Sequence, residues 1–303
     1  MKNVERCPDN PIITSNDVPF RVNSIFNAGA VKVKDEYLLL CRIELPSGRS
    51  AFVIARSKNG INFSVDKHPC MSPENHGEWS EYVEWGIEDP RITFIDNQYY
   101  ILYTGYSRLE PTVMLAKTND FKKFDIMGTI TVPSNKDAVL FPEKINGKYW
   151  KIDRPSGESR RDMWISESPD MIHWGQYRFL MEGRPGSWEQ NKIGASAPPI
   201  RTKKGWLMIY HGVRGFGVSS IYRQGIVLLD SEKPWKVIGR SRIPFLSPEL
   251  DYERVGDVPN VVFTTGWIRE NNGEIKIYYS GADMNICLAE TTEDYLLSLC
   301  EEL

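Results

Sequence analysis

The stretch Tyr99-Tyr100-Ile101-Leu102-Tyr103-Thr104-Gly105-Tyr106 is an uncharged hydrophobic run that ends in a polar residue and a glycine. It is too short for a typical helix and rich in aromatics, so it reads as a strand. The same pattern recurs as YLLLCRIE from Tyr37, YWKIDRPS from Tyr149, WLMIYHGV from Trp206 and IKIYYSGA from Ile275. Each copy has a strand-like partner shortly before it: GAVKV from Gly29, RITFI from Arg91, EKI from Glu143, PPIRT from Pro198 and NVVFT from Asn260. Each also has one after it, beginning at Phe52, Val113, Met163, Gly225 and Asn285. Several of these third strands run into an Asn or Asp turn followed by an aromatic, which predicts a fourth, outer strand.

Five copies of a three- to four-stranded unit, some 50 to 70 residues apart, predict an all-β, five-bladed propeller. A β-sandwich or an irregular all-β domain is the alternative, and the repeat count and order favour the propeller. Only the last stretch reads as helix, where Thr291-Thr292-Glu293-Asp294 resembles a capping box ahead of Tyr295, Leu296, Leu297 and Leu299. No composition shift or linker divides the chain, so residues 1–303 read as one domain.

The composition is that of an ordinary globular protein, 41% hydrophobic and 25% charged, and the net charge of -3 argues against a nucleic-acid partner. Nine Trp and fourteen Tyr suit sugar binding, because aromatic faces pack on pyranose C–H faces; they equally suit a well-packed β protein. The cysteines Cys7, Cys41, Cys70, Cys287 and Cys300 are odd in number and scattered, with no CxxC pair, which speaks against a disulfide framework or a structural zinc site. No apolar run follows the charged N-terminus and none approaches the roughly 18 residues of a membrane span, so the expectation is a cytoplasmic location.

Aligning the five central strands puts Arg42, Thr104, Arg154, His211 and Ser280 at one position of successive units. Three can be cationic, and a ring of them would be a donor cluster for phosphate or carboxylate. The bland reading is that each ends its strand in water. The turn Trp85-Gly86-Ile87-Glu88-Asp89-Pro90-Arg91 offers Asp89 or Glu88 as a general acid, or an Asx-type turn that starts a strand. Residues 214–224 place Tyr222 and Arg223 before the next strand, either as an anion-binding loop or as surface, and lack a P-loop pattern. The run Ser159-Arg160-Arg161-Asp162 reads as a solvated turn. His68, His76 and His173 lack partners at metal-ligand spacing, so no metal site is expected.

Four elements, in order, resemble glycoside hydrolase family 130: Gly86-Ile87-Glu88-Asp89-Pro90-Arg91, Tyr103-Thr104-Gly105-Tyr106, Tyr210-His211-Gly212-Val213 and Val258-Pro259-Asn260-Val261-Val262-Phe263. The resemblance runs from about Asn23 to Glu290. It implies a five-bladed propeller that performs inverting, reversible phosphorolysis of a β-mannoside to α-mannose 1-phosphate, with inorganic phosphate as co-substrate and no cofactor. By this similarity Asp89 is the acid, passing its proton through the mannosyl 3-hydroxyl. Arg154, His211, Tyr222 and Arg223 reach phosphate, and Lys144, near an equivalent strand entry, is a further candidate. Asn27, Arg42 and Arg56 hold the mannosyl unit, and Asp283 binds the leaving sugar.

The compact length looks more like the members acting on β-1,2-mannobiose or β-1,2-oligomannoside than like those acting on mannosyl-glucose. A β-1,4-mannoside or mannosyl-glucose phosphorylase is the alternative, as is a hydrolase on the same scaffold that uses water with Glu143 or Asp257 as base, or a sugar-binding propeller without chemistry. The expected partners are a β-mannoside and phosphate, with neither nucleic acid nor membrane, and self-association is left open. The loops 66–88 and 182–195 are where the sequence would carry specificity.

Overall fold

The computed structural model describes residues 3–157, 161–216 and 219–302. Ser159 and Arg160 of the charged turn, and Gly217 and Val218 of the 214–224 segment, lie outside the described residues. The fold is all-β apart from short helical turns and the helix Glu293–Ser298. That helix starts where expected, with the Thr292 hydroxyl accepting a hydrogen bond from the Tyr295 amide.

Among the described residues, five antiparallel meanders follow one another along the chain. The first comprises Ser24–Val33, Glu36–Glu44 and Ser50–Ser57, edged by Ser64–Val65. The second comprises Gly86–Ile95, Gln98–Tyr106, Thr112–Thr118 and Asp125–Thr129. The third comprises Asn135–Leu140, Tyr149–Pro155, Met163–Ser168 and Gly175–Met181. In the fourth, Lys192–Ala195 and Ile200–Thr202 both pair with Gly205–Phe216, followed by Ser219–Leu229 and Val237–Ser241. The fifth comprises Val262–Arg269, Glu274–Gly281 and Asn285–Thr292. Its outer strand comes from the other end of the chain, Glu5–Arg6, while Cys300–Glu302 adds to the edge of the fourth meander.

The central strands are largely apolar because both of their faces are covered; the third is the exception, with Lys151 and Asp153 buried as an ion pair. Leu39, Cys41 and Ile43 pack with Ile268, Tyr278 and Leu288 of the fifth meander. Leu38 and Leu40, which alternate with them, pack with Ile87, Ile101 and Met114 of the second. The other three cores lie in the same way between the second and third, third and fourth, and fourth and fifth meanders. Each core therefore belongs to an interface between neighbours. The first strands lie side by side: Ser24–Val33 touches Gly86–Ile95, which touches Asn135–Leu140, which touches Lys192–Ala195. Val262–Arg269 returns to Ser24–Val33.

One strand differs from the sequence reading. The partner preceding YWKIDRPS is Asn135–Leu140, whereas Glu143-Lys144-Ile145 belongs to a hairpin turn in which Ile145 bridges only to Lys148. The misreading has a local cause: Asn135-Lys136-Asp137 begins the real strand with three polar residues, and its pairing is broken by a bulge between Lys136 and Val139. Periodicity therefore registers only its second half.

Candidate active site

The polar starts of the first strands meet in a cleft of about 670 Å³. Bulges aim side chains into it. The pairing register shifts between Phe26 and Ala28, between Glu88 and Arg91, and between Lys136 and Val139. Asn27, Asp89 and Asp137 sit at these shifts with φ of 45, 55 and 57°, and all three line the cleft. A fourth lining residue, Asp283, is also left-handed, at φ 53°, in the turn after Glu274–Gly281. Asn and Asp tolerate this conformation better than most side chains, and such non-glycine positions concentrate at functional sites.

Asp89 is buried and its Oδ1 accepts hydrogen bonds from Asn27 Nδ2 at 2.7 Å and Arg42 Nη1 at 3.0 Å. Burial works against its charge, but Arg42, Lys136, Arg91 and the Asn27 amide outweigh it and hold the carboxyl below the usual range. Arg91 fixes the backbone beneath it. Its guanidinium donates to the Asp89 carbonyl at 2.8 Å and reaches the Ser196 and Ala195 carbonyls at 2.8 and 3.2 Å, tying the second meander to the fourth. Asn27 is supported by the Ser280 hydroxyl, which accepts from its backbone amide, while its own Oδ1 is buried without a hydrogen-bond partner. Such an acceptor in a cleft wall is ready for a substrate hydroxyl. Glu88 is occupied elsewhere, bound by Arg42 Nη2 at 2.9 Å and Lys136 Nζ at 3.4 Å, so of the two adjacent acids Asp89 is the one presented to the cleft.

Across the cleft, Asp137 collects cations. Arg154 donates to its Oδ2 from Nε at 2.9 Å and Nη2 at 2.6 Å; His211 Nε2 stands 3.3 Å away, and Arg91 Nη2 lies 3.5 Å from Oδ1. Despite burial, Arg154, His211 and Arg91 hold Asp137 well below the carboxylate range. Gly194 permits this packing, since a Cβ there would lie 2.5 Å from His211 Cε1 and 2.7 Å from Asp137 Oδ2. Lys136, Lys192 and Arg161 add positive charge to the same lining, and Lys192 Nζ donates to the Tyr222 hydroxyl at 2.6 Å. Burial first, and then Arg154, push Lys192 down to about 7. His211 falls to about 4 for the same two reasons, so at neutral pH it is a neutral hydrogen-bonding ring rather than the cation of the sequence reading. Val258, Val261 and Phe263 form an apolar wall, with the Phe263 ring centroid 4.8 Å from that of His211.

Asn27, Arg42, Asp89, Arg154, His211, Tyr222 and Asp283 therefore meet as expected. Thr104 and Ser280 of the aligned ring are buried beneath the cleft lining. Three expected residues do not line it. Lys144 pairs with Asp96 at 3.1 Å, in the turns that follow the first strands and so at their far ends from the cleft; reading EKI as the first strand misplaced it. Arg56 pairs with Asp66 at 2.7 Å, and its strand register opposite Leu38 sets it away from the Arg42 end. Arg223 alternates with the inward Tyr222 and Gln224 and so takes the opposite face, near Arg214.

Sequence reasoning missed Lys136, Asp137 and Lys192, and Arg161, read as part of a solvated turn, also lines the cleft. The available signal was a charged pair opening a strand before an apolar half. Burial pushes Asp283 up to about 7, with Arg42 opposing and Asp89 and Glu88 adding to the rise. Among the described residues, no helix is long and apolar enough to cross a membrane.

In chemical terms the cleft presents two ionised carboxylates, Asp89 and the cation-bound Asp137, a third carboxyl, Asp283, raised to about 7, and a cationic wall suited to an oxyanion. The profile of a family described as β-1,4-mannooligosaccharide phosphorylase matches residues 3–302. A β-1,2-mannobiose phosphorylase of a Thermoanaerobacter species is 37% identical over 95% of this chain and 97% of its own. A β-1,4-mannooligosaccharide phosphorylase of Ruminococcus albus is 37% identical over 94% of this chain and 87% of its own. Among solved structures, β-1,2-mannobiose phosphorylase of Listeria innocua in complex with β-1,2-mannobiose superimposes with a TM-score of 0.91 at 32% identity, covering 98% of this chain and 99% of that one.

Proposed function

The chain belongs to glycoside hydrolase family 130, and we propose that it is an inverting β-mannoside phosphorylase, acting on β-1,2-mannobiose or a short β-1,2-oligomannoside. The observation that carries this is the cationic wall of the cleft: Lys136, Arg154 and Lys192 line it with Asp89, and the second buried acid there, Asp137, is locked on both oxygens by Arg154, His211 and Arg91. An inverting hydrolase needs a second carboxylate to activate water, whereas phosphate is already a nucleophile and needs cations to hold it.

In this reading the mannosyl unit lies against Asn27, Arg42 and Asp89, the leaving sugar against Asp283, and phosphate among Arg154, His211, Tyr222, Lys136 and Lys192. A phosphate oxygen attacks C1 from the face opposite the glycosidic oxygen. The C1–O bond breaks, and the proton from Asp89 reaches the departing oxygen through the mannosyl 3-hydroxyl. The product is α-mannose 1-phosphate, and the proton lost by the new phosphate monoester, whose second pKa is about 6, restores Asp89. An anion among the cations also cancels charge that keeps Asp89 ionised, so phosphate binding raises its pKa and prepares it as an acid. No cofactor takes part.

Five meanders with cores between neighbours and first strands in a circuit support a single five-bladed propeller. A cytoplasmic location fits the use of intracellular phosphate. The equal 37% identity to a β-1,4-acting relative favours β-1,4-mannooligosaccharides as the second reading.

The test is incubation with β-1,2- and β-1,4-linked mannosides, with and without phosphate, assayed for mannose 1-phosphate. Phosphate-dependent release from the β-1,2 substrates is expected. Release from β-1,4 substrates alone would replace the linkage, and equal release of free mannose without phosphate would overturn phosphorolysis.

A further inference from the structure

The loop 66–88, singled out in the sequence for specificity, contributes to a second depression that the proposed chemistry does not use. It has a volume of about 380 Å³ and is lined by Pro73, Glu74, Ser80, Glu81 and Glu84 of this loop with Arg49 and Arg108. It opens at the same end of the strands as the cleft. Arg49 lies in the hairpin just beyond Glu36–Glu44, the strand that carries Arg42. Two chain segments run directly from one hollow to the other. Residues 84–89 pass from Glu84 in the depression to Asp89 in the cleft, and residues 108–111 pass from Arg108 to Glu110 and Pro111 in the cleft wall. At strand spacing, two residues from Arg108 to Glu110 span at most about 7 Å.

Trp85 stands on the first of these segments, and Tyr106, which closes the strand Gln98–Tyr106 two residues before Arg108, pairs with it. Their backbones pair, with the Trp85 amide donating to the Tyr106 carbonyl at 2.9 Å, and their rings meet edge to face at 5.2 Å. They are 46% and 40% exposed. Two large exposed rings packed on one another, beside the segment that leads to Asp89, offer a stacking platform part of whose ordering entropy has already been lost. The polar groups beside them suit hydroxyl recognition. Arg108 is 3.7 Å from Glu84 and 3.9 Å from Glu81, and Arg49 is 3.8 Å from Glu74. These separations exceed those of direct charge-assisted hydrogen bonds, leaving donors and acceptors for a diol.

We propose that Trp85 and Tyr106, with Arg108 and Glu84 behind them, form an outer saccharide subsite that holds the leaving-side units of β-mannooligosaccharides longer than a disaccharide. The inference rests on the phosphorylase reading for its substrate class. It assigns the 66–88 loop the selection of chain length, and it makes longer oligosaccharides better acceptors in the synthetic direction.

The experiment compares wild-type protein with Trp85→Ala, Tyr106→Ala and Arg108→Ala on a β-mannooligosaccharide ladder from disaccharide to tetrasaccharide. The expected result is a fall of about tenfold in kcat/KM for the tetrasaccharide relative to the disaccharide in Trp85→Ala, carried by KM, with smaller falls in the other two. Binding of the tetrasaccharide to the Asp89→Asn protein, read by tryptophan fluorescence with and without Trp85→Ala, tests the subsite without turnover. If the wild type shows no phosphorolysis but tetrasaccharide binding still depends on Trp85, the reaction assignment fails and the subsite stands. Equal effects on all chain lengths, or none, would overturn the subsite. So would a change from dimer to monomer in Trp85→Ala, which would make the ring pair a contact between copies.

Discussion

Asp89 and Asp137 occupy matching bulges in the second and third meanders; both are buried, both are left-handed, and both are held below the usual carboxylate range. Their partners separate them. Asp89 takes one amide and one guanidinium on a single oxygen, Oδ1. Asp137 is engaged on both oxygens, by Arg154, His211 and Arg91. The same backbone device thus yields a carboxylate able to exchange a proton in one place and a fixed counter-ion that gathers cations in the other. The difference lies in the strands that each meets, since Arg154 and His211, on the third and fourth central strands, converge on Asp137.

The widest gap between the two acids should come from Asp89→Asn. It is expected to lower phosphorolysis by about 10²–10⁴-fold, the usual range for losing a general acid, with a smaller loss of stability than Asp137→Asn because Arg42 keeps Glu88 as a partner. Full turnover in this variant would remove Asp89 from the chemistry. Asp137→Asn should act instead on stability, because Arg154 and Arg91 would be left without their buried counter-ion; a loss of about 3–5 kcal/mol in urea unfolding is expected. The sign of the pH dependence agrees. A carboxyl held below its unfolded value stabilises above that value and loses the contribution as pH falls through its folded pKa, so the deficit of Asp137→Asn should shrink only in acid. An unchanged midpoint at neutral pH would mean that Asp137 does not hold the cationic half together.

A smaller effect is expected at Lys192. With its pKa near 7, the ammonium is charged below that pH and progressively neutral above it. Lys192→Met should raise the phosphate KM about tenfold at pH 6 while leaving the mannoside KM within twofold, and the difference from wild type should narrow as pH rises past 7. A gap that persists unchanged to pH 9 would show that Lys192 stays charged throughout. The smallest change should follow Asp283→Asn. Its carboxyl sits near 7, so an amide imitates the neutral form that dominates at pH 6, and kcat/KM there should stay within about threefold of wild type. A hundredfold loss at pH 6 would place Asp283 with Asp89 in the chemistry.

The strand order, the five repeats and the terminal helix were legible in the sequence, because they rest on local rules. Central strands such as Leu38–Ile43 are apolar at every other position for each of two neighbours, and turns such as Ser168–Met171 close through side-chain hydrogen bonds within three residues. Seven of the ten expected site residues line the cleft: Arg42, Arg154 and His211 were legible as polar residues after apolar runs and Asp89 as part of a short motif, whereas Asn27 and Asp283 came only from the family resemblance and Tyr222 from its place in the 214–224 segment. Lys136, Asp137 and Lys192 were not legible, because a charged residue at a strand start is ordinarily solvated. Only the meeting of segments as distant as Asp137 and His211 makes burial tolerable there. The same limit explains Lys144 and Arg56, since sequence position does not say which end of a strand faces the cleft. Periodicity is set by each residue and its chain neighbours; the charge balance of a buried site is set by groups that only the tertiary fold brings within a few ångströms.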